Sequence, residues 1–510
     1  MKNILFIVLA WFFAVNASAT GYDIKTSSVI AQPATEVLGE LKGNWYALGF
    51  EKPGNLNKPP QFKIFRYAQG FKEGKTSVLF NSFGEKTLYL KGAFVNSKIS
   101  LFYARCGKRE DISVLLDKRD GRRQLPVIMR QDFDPVTLES IGEAQTVFNE
   151  EDDYFAPSDI EIVESPDRSK TAILFKPYYK HQRYKVQITD NNTGEVFAKV
   201  FDFKLSKEYL KFVTMKVNNA GTMLIEAKVR EDVITLAQTS ATKGQTKYYF
   251  FAVNKESEEK PKSFELVSQP GKFFRDPLLG ALNGGEMVVA YDFFNSDKDS
   301  SPKGTVVAKY DASLNASGQR EITPDGKFAS QAAAYTTTPK KGKEFCNLRA
   351  QQILPLAGNG FLLVTEYCDT LANTDKTKPS SVVRNYLVTY RMDDGMNVAA
   401  QHFIPKKQIS PTVGYAFSAK AYAKGNDAYL FYNGDWEADE EHNMNLQCSR
   451  LAADGSEPET KKVMNTSNDF FTSMENVYPG RDGRVLFGVE RAVDYEDVTR
   501  EVKLLEITPR

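Results

Sequence analysis

The chain has 510 residues, of which 42% are hydrophobic, 26% are charged and 12% are aromatic. This composition is typical of a globular protein and excludes both an intrinsically disordered chain and a membrane-embedded one. The formal net charge of +1 provides no sequence-wide basic surface, so nucleic acid is not expected as a partner.

The N-terminus has the features of an export signal. Lys2 precedes an apolar run from Ile4 to Val15, and Ala17-Ser18-Ala19 supplies small residues for cleavage. About twelve apolar residues are too few to cross a bilayer, which needs about twenty. Residues 1–19 are therefore predicted to be a cleaved signal peptide. The mature protein is predicted to have no membrane span and to be exported, either to the periplasm or as a secreted protein.

Short strand-like segments fill the rest of the chain, and one type of turn recurs among them. A polar turn rich in Gly, Asn and Asp is followed at once by an apolar run. The turn occurs eight times, near Gly43, Asn96, Asp167, Asn219, Gly284, Asn359, Asn426 and Asp482. The mean spacing between these turns is roughly 63 residues. Such a period indicates a repeated supersecondary unit.

Each unit contains four strand-like runs in the same order. In the third unit, "TAILF" follows the turn, and "YKVQIT" and "EVFAKVF" then form a hairpin around "DNNTG". In the sixth unit, "FLLVTEY" is followed by "RNYLVTY" and "MNVAAQHFI" around "RMDDG". Four antiparallel strands at this period predict a β-propeller, since each sheet can bury its faces only against its neighbours. Two smaller propellers or a pair of β-sandwiches are the other all-β arrangements considered.

The two ends of the chain suggest how the ring closes. The last unit lacks one strand, whereas Ser27–Ala34 forms a strand-like run with no partner of its own. Pairing the two removes an exposed sheet edge. We therefore predict one propeller over residues 20–510 with eight blades, or alternatively seven. The units are 35–85, 86–150, 151–205, 206–270, 271–330, 343–408, 412–465 and 468–510 plus 26–34.

The cysteines suggest one disulfide, because export places them in an oxidising compartment. Cys346 and Cys368 flank two strand-like runs around a Gly-Asn-Gly turn. A hairpin centred near Gly358 sets the two cysteines almost opposite each other, which is close to disulfide geometry. A bridge between Cys346 and Cys368 is predicted. Cys106 and Cys448 are interpreted as buried apolar residues.

The loops that follow the second strand of each unit vary most in length, which marks their face as the candidate binding face. The most acidic and aromatic of them is "YNGDWEADEEHN". The candidate ligand-binding residues are Asp435, Trp436, Glu437 and Asp439, together with Asp292, Glu366, Asp369 and Glu490 at corresponding positions. Three interpretations stay open: sugar binding or cleavage, a Ca²⁺ site, and solvated loops without a ligand.

Signals for a particular reaction are missing from the sequence. His181, His402 and His442 show no zinc-binding spacing, and no phosphate-binding, dinucleotide or nucleophile-elbow motif occurs. We predict a monomeric binding or scaffold module for a protein or glycan partner, with no cofactor unless Ca²⁺ binds. The alternative is a propeller hydrolase or lyase acting on carbohydrate or peptide. An enzyme should bring at least two carboxylates together around a concave pocket.

Overall fold

The structure is a computed structural model that describes most of the chain. The described residues are 22–26, 30–31, 35–52, 61–71, 74–78, 87–105, 127–148, 157–177, 183–205, 210–229, 247–266, 272–296, 298–299, 301–337, 345, 347–371, 380–410, 419–434, 436–437, 445–465, 471–480, 484–492 and 500–509. The predicted signal peptide, residues 1–19, lies outside them. No helix in this part of the chain is both long and apolar enough to cross a membrane.

Strands β1 (Tyr22–Thr26) and β2 (Ile30–Ala31) precede the first blade. Blades 1 to 4 are antiparallel sheets of four consecutive strands each. Blade 1 comprises β3 Thr35–Leu41, β4 Asn44–Lys52, β5 Gln61–Tyr67 and β6 Gly74–Val78; blade 2 comprises β7 Thr87–Val95, β8 Lys98–Arg105, β9 Val127–Phe133 and β10 Ser140–Phe148; blade 3 comprises β11 Pro157–Glu164, β12 Lys170–Pro177, β13 Arg183–Asp190 and β14 Val196–Asp202; blade 4 comprises β15 Leu210–Val217, β16 Met223–Val229, β17 Tyr248–Val253 and β18 Lys262–Leu266.

Blades 5 to 7 repeat this plan, with one addition. Blade 5 comprises β19 Phe273–Ala281, β20 Met287–Phe294, β21 Gly304–Tyr310 and β22 Ala316–Ile322; blade 6 comprises β23 Leu348–Pro355, β24 Phe361–Leu371, β25 Ser381–Met392 and β26 Val398–Ile404; blade 7 comprises β28 Ala419–Lys424, β29 Asp427–Asn433, β31 Asn445–Leu451 and β32 Glu459–Asn465. The short strands β27 (Gln408–Ser410) and β30 (Trp436–Glu437) extend the sheet of blade 6. Helix α1 (Ala329–Tyr335) follows a 3-10 turn at Gly326–Phe328, and a second 3-10 turn lies at Gln69–Phe71.

The last sheet joins both ends of the chain. It contains β33 Phe471–Pro479, β34 Val485–Ala492 and β35 Arg500–Pro509, and β1 pairs antiparallel with β35 as its fourth strand. The predicted closure by an N-terminal strand is therefore found, but the main closing strand is Tyr22–Thr26. Ile30 and Ala31, the described residues of the predicted run Ser27–Ala34, pair with Val502 and Glu501. The chain thus builds seven four-stranded blades from continuous stretches and an eighth sheet from its two ends.

The first strands of the sheets form a closed ring. Each of β3, β7, β11, β15, β19, β23, β28 and β33 contacts the next, and β33 contacts β3. The eight predicted turns join the first and second strands, and the predicted outer hairpin of the third unit is β13 paired with β14. The prediction of a β-propeller of four-stranded antiparallel blades is confirmed.

The hydrophobic core is divided among the interfaces between blades. One cluster joins Leu174 and Phe201 of blade 3 to Met215 and Phe251 of blade 4. Corresponding clusters lie at each of the remaining interfaces between neighbouring sheets, including the interface between the eighth sheet and blade 1. Because each sheet buries its faces only against its neighbours, the stability of every blade depends on the blades beside it.

A buried ion pair secures the closing interface. The Glu506 carboxylate on β35 accepts hydrogen bonds from Trp45 Nε1 of blade 1 and from Arg484, each at 2.7 Å. Arg484 also donates to the backbone oxygen of Gly43 at 3.0 Å. Glu506 and Arg484 are 1% and 2% exposed, so both charges depend on each other rather than on water.

Candidate functional site

A cavity of about 440 Å³ lies inside the ring. Its walls come mainly from the first strands of blades 4 to 7, which are β15, β19, β23 and β28. A volume of this size falls within the range of small-ligand pockets, about 300–1,000 Å³. The central channel of the propeller is therefore the candidate functional site.

Irregular backbone shapes this channel. In blades 1 to 6 and in the eighth sheet the first strand shifts register against the second strand, after Val37, Tyr89, Pro157, Phe212, Arg275, Ala350 and Thr472. Such bulges bend a strand and change the direction of its side chains. At the cavity, the shift in β19 contains Asp276, whose φ of 44° is unusual for a residue other than glycine. The Asp276 N–H donates to the hydroxyl oxygen of Tyr248 at 3.0 Å, which fixes this bend.

Three lysines line the cavity: Lys216 and Lys228 from blade 4 and Lys420 from blade 7. Solvent reaches Lys216 and Lys420, but protein surrounds the lumen. This burial within the ring lowers the pKa of Lys216, and the charge of Lys420 lowers it further, whereas Glu161 opposes the shift. Burial also lowers the pKa of Lys420. Within the described part of the chain, none of the three lysines forms an ion pair.

Two carboxylates border the same cavity, Glu226 on β16 and Asp276 on β19. Glu226 is fully buried, and neither carboxylate oxygen has a hydrogen-bond partner among the described residues. Burial raises the pKa of Glu226 to about 8, and the negative charge of Asp276 adds to this increase while Lys228 opposes it. At neutral pH most Glu226 side chains therefore hold a proton, so the cavity carries an excess of positive charge.

The end of the channel at the first turns of the blades is bridged by side chains. Arg168, in the turn between β11 and β12 of blade 3, donates to the backbone oxygen of Pro479 in the eighth sheet. Its guanidinium lies 3.5 Å from the Glu40 carboxylate of blade 1. The contact with Glu40 skips blade 2, and the contact with Pro479 skips blades 1 and 2, so both reach across this end of the channel.

The residues predicted from the acidic loop are not tested by the structure. Asp435 and Asp439 lie outside the described residues, and Trp436 and Glu437 are described only as the short strand β30. Glu490 is likewise placed only by its backbone, opposite Phe471. Their ligand-binding role stays a prediction.

Asp292 and Glu366 are buried between strands. Thr305 donates to Asp292 at 2.7 Å, and the backbone N–H of Ala350 in the next blade lies 3.2 Å from the same carboxylate. Burial raises the pKa of Asp292 to about 6. Glu366 is fully buried and accepts hydrogen bonds from Lys406 and from Arg384. Both carboxylates thus connect parts of the propeller, and neither borders the cavity.

Asp369 lies near the end of β24. It accepts hydrogen bonds from Thr337 and from the hydroxyl of Tyr367, the latter at 3.0 Å. Since Tyr367 and Thr337 also contact each other, Asp369 ties the segment after α1 to blade 6. The structure does not bring Asp369 to the central cavity.

The predicted disulfide between Cys346 and Cys368 is not formed, because Cys368 carries a free thiol. Next to the turn Pro355 pairs with Phe361, and continuation of that register would place Cys368 opposite Leu348. The register shift between Ala350 and Gln352 places it opposite Asn347 instead of Cys346, and the backbone N–H of Cys368 donates to the backbone oxygen of Asn347 at 2.9 Å. A displacement of one residue turns a side chain to the other face of the sheet. Cys346 itself lies outside the described residues, as does Cys106. Cys448 is buried in the core between blade 7 and the closing sheet, as predicted.

Within the described residues, no three or more His, Cys, Asp or Glu side chains form a cluster suited to a metal ion. Of the histidines, His402 is buried and its Nε2 lies 3.2 Å from the backbone oxygen of Gly455, whereas His181 and His442 lie outside the described part. A Ca²⁺ site stays a prediction.

Sequence reasoning missed the cavity residues, although two signals were present. Glu226 interrupts the apolar run "TMLIEAKV". This run is the second strand of a blade, and its central residues are buried on both faces of the sheet, so a carboxylate there is unexpected. Lys216 and Lys420 alternate with apolar residues on first strands, and one side of a first strand must face the channel.

No protein-family model matches the sequence, and no curated protein matches it. Among solved structures, the chain is similar to the WD40 domain of SCAP from fission yeast, with 9% identity, a TM-score of 0.41, and coverage of 96% of this chain and 98% of that chain. It is also similar to a prolyl endopeptidase, with 11% identity, a TM-score of 0.39 and coverage of 94% of this chain and 56% of that chain. The chain thus spans about half the length of that peptidase. A third similar structure is the β-propeller domain of the Trilobed protease from Pyrococcus furiosus, with 10% identity, a TM-score of 0.38, and coverage of 82% of this chain and 93% of that chain. These similarities assign no activity to this chain.

Proposed function

We propose that the protein is an exported binding module that takes part of a protein or glycan partner into its central cavity. The observation that carries this proposal is a set of unpaired ionisable groups on the cavity wall. Among the described residues, the exposed Lys216 and Lys420 form no ion pair, and the buried carboxyl group of Glu226 has no hydrogen-bond partner. A buried polar group without a hydrogen bond is unfavourable, and like charges close to each other repel. A ligand that supplies an opposite charge and a hydrogen-bond partner for these groups would gain that free energy on binding.

The rest of the propeller supports this location. The buried carboxylates elsewhere in the described residues are mostly paired within the protein, as Glu366 is with Lys406 and Glu506 is with Arg484. The cavity residues depart from this pattern, and strain at Asp276 adds to the departure. Unusual backbone conformations and shifted pKa values concentrate at functional sites.

A blocking substitution tests the proposal. Val213 lines the cavity and is 41% exposed, whereas Val196 lies on the outermost strand of blade 3 and is 52% exposed. Peptide and glycan arrays would identify ligands of the unmodified protein, and calorimetry would measure their affinities. Val213→Trp should abolish binding by filling the cavity, and Val196→Trp should bind as the unmodified protein does. Equal affinity of both variants for every ligand found would contradict the proposal.

A hydrolase or lyase acting on carbohydrate or peptide is the second candidate. It is favoured by one observation, that Glu226 and Asp276 border one cavity and burial raises the pKa of Glu226 to about 8. A carboxyl group that keeps its proton near neutral pH can act as a proton donor to a substrate. Glycans and peptides bound by the protein would be assayed for new reducing ends or new amino termini. Cleavage that is lost in Glu226→Gln and retained in Glu258→Gln, an exposed control, would support this candidate; intact ligands would exclude it.

A further inference from the structure

The chemistry of the cavity wall specifies the ligand further, on the condition that the cavity binds a ligand as proposed above. Lys216 on β15 and Lys420 on β28 belong to blades separated by two others, so they face each other across the lumen. The two ammonium groups are close enough that the charge of Lys420 lowers the pKa of Lys216. The charge of Glu161 of blade 3 opposes this effect on the pKa of Lys216, but the two side chains form no ion pair in the described residues.

Two buried lysines of the protein, Lys309 and Lys406, have acidic partners. Lys309, 4% exposed, lies 2.9 Å from Glu286 and 2.6 Å from Asp394. Lys406 is paired with Glu366. Lys216 and Lys420 differ from them, because they are exposed to the lumen and form no ion pair among the described residues. An anion placed between them would remove their mutual repulsion while gaining two charge-assisted hydrogen bonds.

The remaining wall is aliphatic and amide in character. Val213, Pro277, Leu278 and Ile353 provide apolar surface, and Gln351 provides an amide group. Tyr248 is the one aromatic residue among those described along the wall, and its hydroxyl oxygen already accepts the Asp276 N–H. Sugars are commonly stacked on aromatic rings, whereas aliphatic side chains of a peptide pack well against an aliphatic wall.

We propose that the cavity binds an acidic peptide segment of a partner protein, with a carboxylate held between Lys216 and Lys420 and an apolar side chain packed on Val213, Leu278 and Ile353. The partner segment is recognised by one carboxylate adjoining aliphatic residues. Glu226 is protonated in most molecules at neutral pH and therefore does not repel this carboxylate. Asp276 is the remaining anionic group on the described wall, which also carries Lys228.

The test uses an array of end-blocked peptides in which each acidic member has a neutral counterpart with Asn for Asp or Gln for Glu. Fluorescence anisotropy then measures the affinities of labelled members for the full-length protein. Acidic members should bind, and their neutral counterparts should bind at least about tenfold more weakly, as expected for the loss of a charged hydrogen-bond acceptor. A labelled trigalacturonate, which carries carboxylates on a sugar chain, serves as the glycan arm.

Variants connect the binding to the two lysines. Lys216→Ala and Lys420→Ala should each weaken acidic-peptide binding about tenfold or more, Lys216→Arg should retain most of the affinity, and Lys255→Ala, at an exposed turn, should change nothing. Circular dichroism confirms that each variant is folded. Equal binding of acidic and neutral peptides, unchanged affinity in both alanine variants, or binding of trigalacturonate in place of peptides would overturn the proposal. If Val213→Trp blocks binding while both lysine variants do not weaken it, the cavity still binds a ligand but the carboxylate assignment is wrong.

Discussion

Lys216 and Lys420 face each other across the central cavity, and the positive charge of Lys420 lowers the pKa of Lys216. Removing one of these charges should therefore raise the pKa of the other. We expect Lys420→Met to raise the pKa of Lys216, measured by NMR titration of protein labelled at the lysine ε-carbon. Lys255→Met should leave the Lys216 titration unchanged. An unchanged Lys216 titration in Lys420→Met would show that the two ammonium groups do not interact.

Glu226 makes stability depend on pH. Its pKa rises from an ordinary 4.5 to about 8 on folding, so the folded state holds this proton more tightly than the unfolded state. The contribution of this proton to the free energy of unfolding is fully present below about pH 4.5 and is lost as the pH rises towards about 8. Glu226→Gln cannot titrate, so its stability relative to the unmodified protein should increase over this window, by at most about 5 kcal/mol at about 1.4 kcal/mol per pKa unit.

Unfolding midpoints measured across this pH range check the effect of Glu226. Glu258→Gln, a substitution of the same type at an exposed position, should follow the unmodified protein within about 0.5 kcal/mol. If the curves of Glu226→Gln and the unmodified protein run parallel between pH 4.5 and 8, Glu226 does not have the raised pKa on which this account relies.

The closing interface should depend strongly on Glu506. Glu506→Ala leaves Arg484 buried without its partner and removes the acceptor of Trp45 Nε1, so we expect a loss of about 3–5 kcal/mol in the free energy of unfolding. Asp427→Ala breaks the more exposed pair with Arg450 and should cost less than about 1 kcal/mol. Denaturant unfolding of both variants provides the comparison. Equal effects would mean that the ends of the chain are not joined as described.

Cys368 should be unreactive in the folded protein. Burial raises the pKa of its thiol to about 12, and the nearby Glu366 carboxylate contributes. Since the thiolate is the nucleophile, alkylation by iodoacetamide at pH about 8 should be slow until the protein unfolds. Mass spectrometry of the Cys368 peptide measures this rate and also detects any disulfide. Rapid alkylation of the native protein, or a peptide bridged to Cys346, would contradict the structure.

The sequence predicted the features of the fold that depend on local chemistry. The first turns need residues that tolerate a left-handed backbone, and they have them, as at Gly43 with φ 80° and Asn96 with φ 50°. The alternation of apolar and polar residues predicted the outer hairpins, including β13 with β14. Repetition of these signals at a steady period was sufficient for the architecture.

Features that depend on assembly of the ring were not predictable in the same way. The pairing of Pro355 with Phe361 and the register shift after Ala350 together place Cys368 opposite Asn347, and nothing in the local sequence specifies this register. Lys420 follows Lys216 by 204 residues and Glu226 by 194 residues, and only the closed ring brings all three to one cavity. Their positions on first and second strands were visible in the sequence, but their proximity was not.

The most direct test of the account is a crystal structure of the protein with an acidic peptide bound. The account predicts that a peptide carboxylate lies within hydrogen-bond distance of Lys216 Nζ and Lys420 Nζ, with an aliphatic side chain against Val213. A peptide bound on the outer loops, with no ligand atoms between the two lysines, would contradict it.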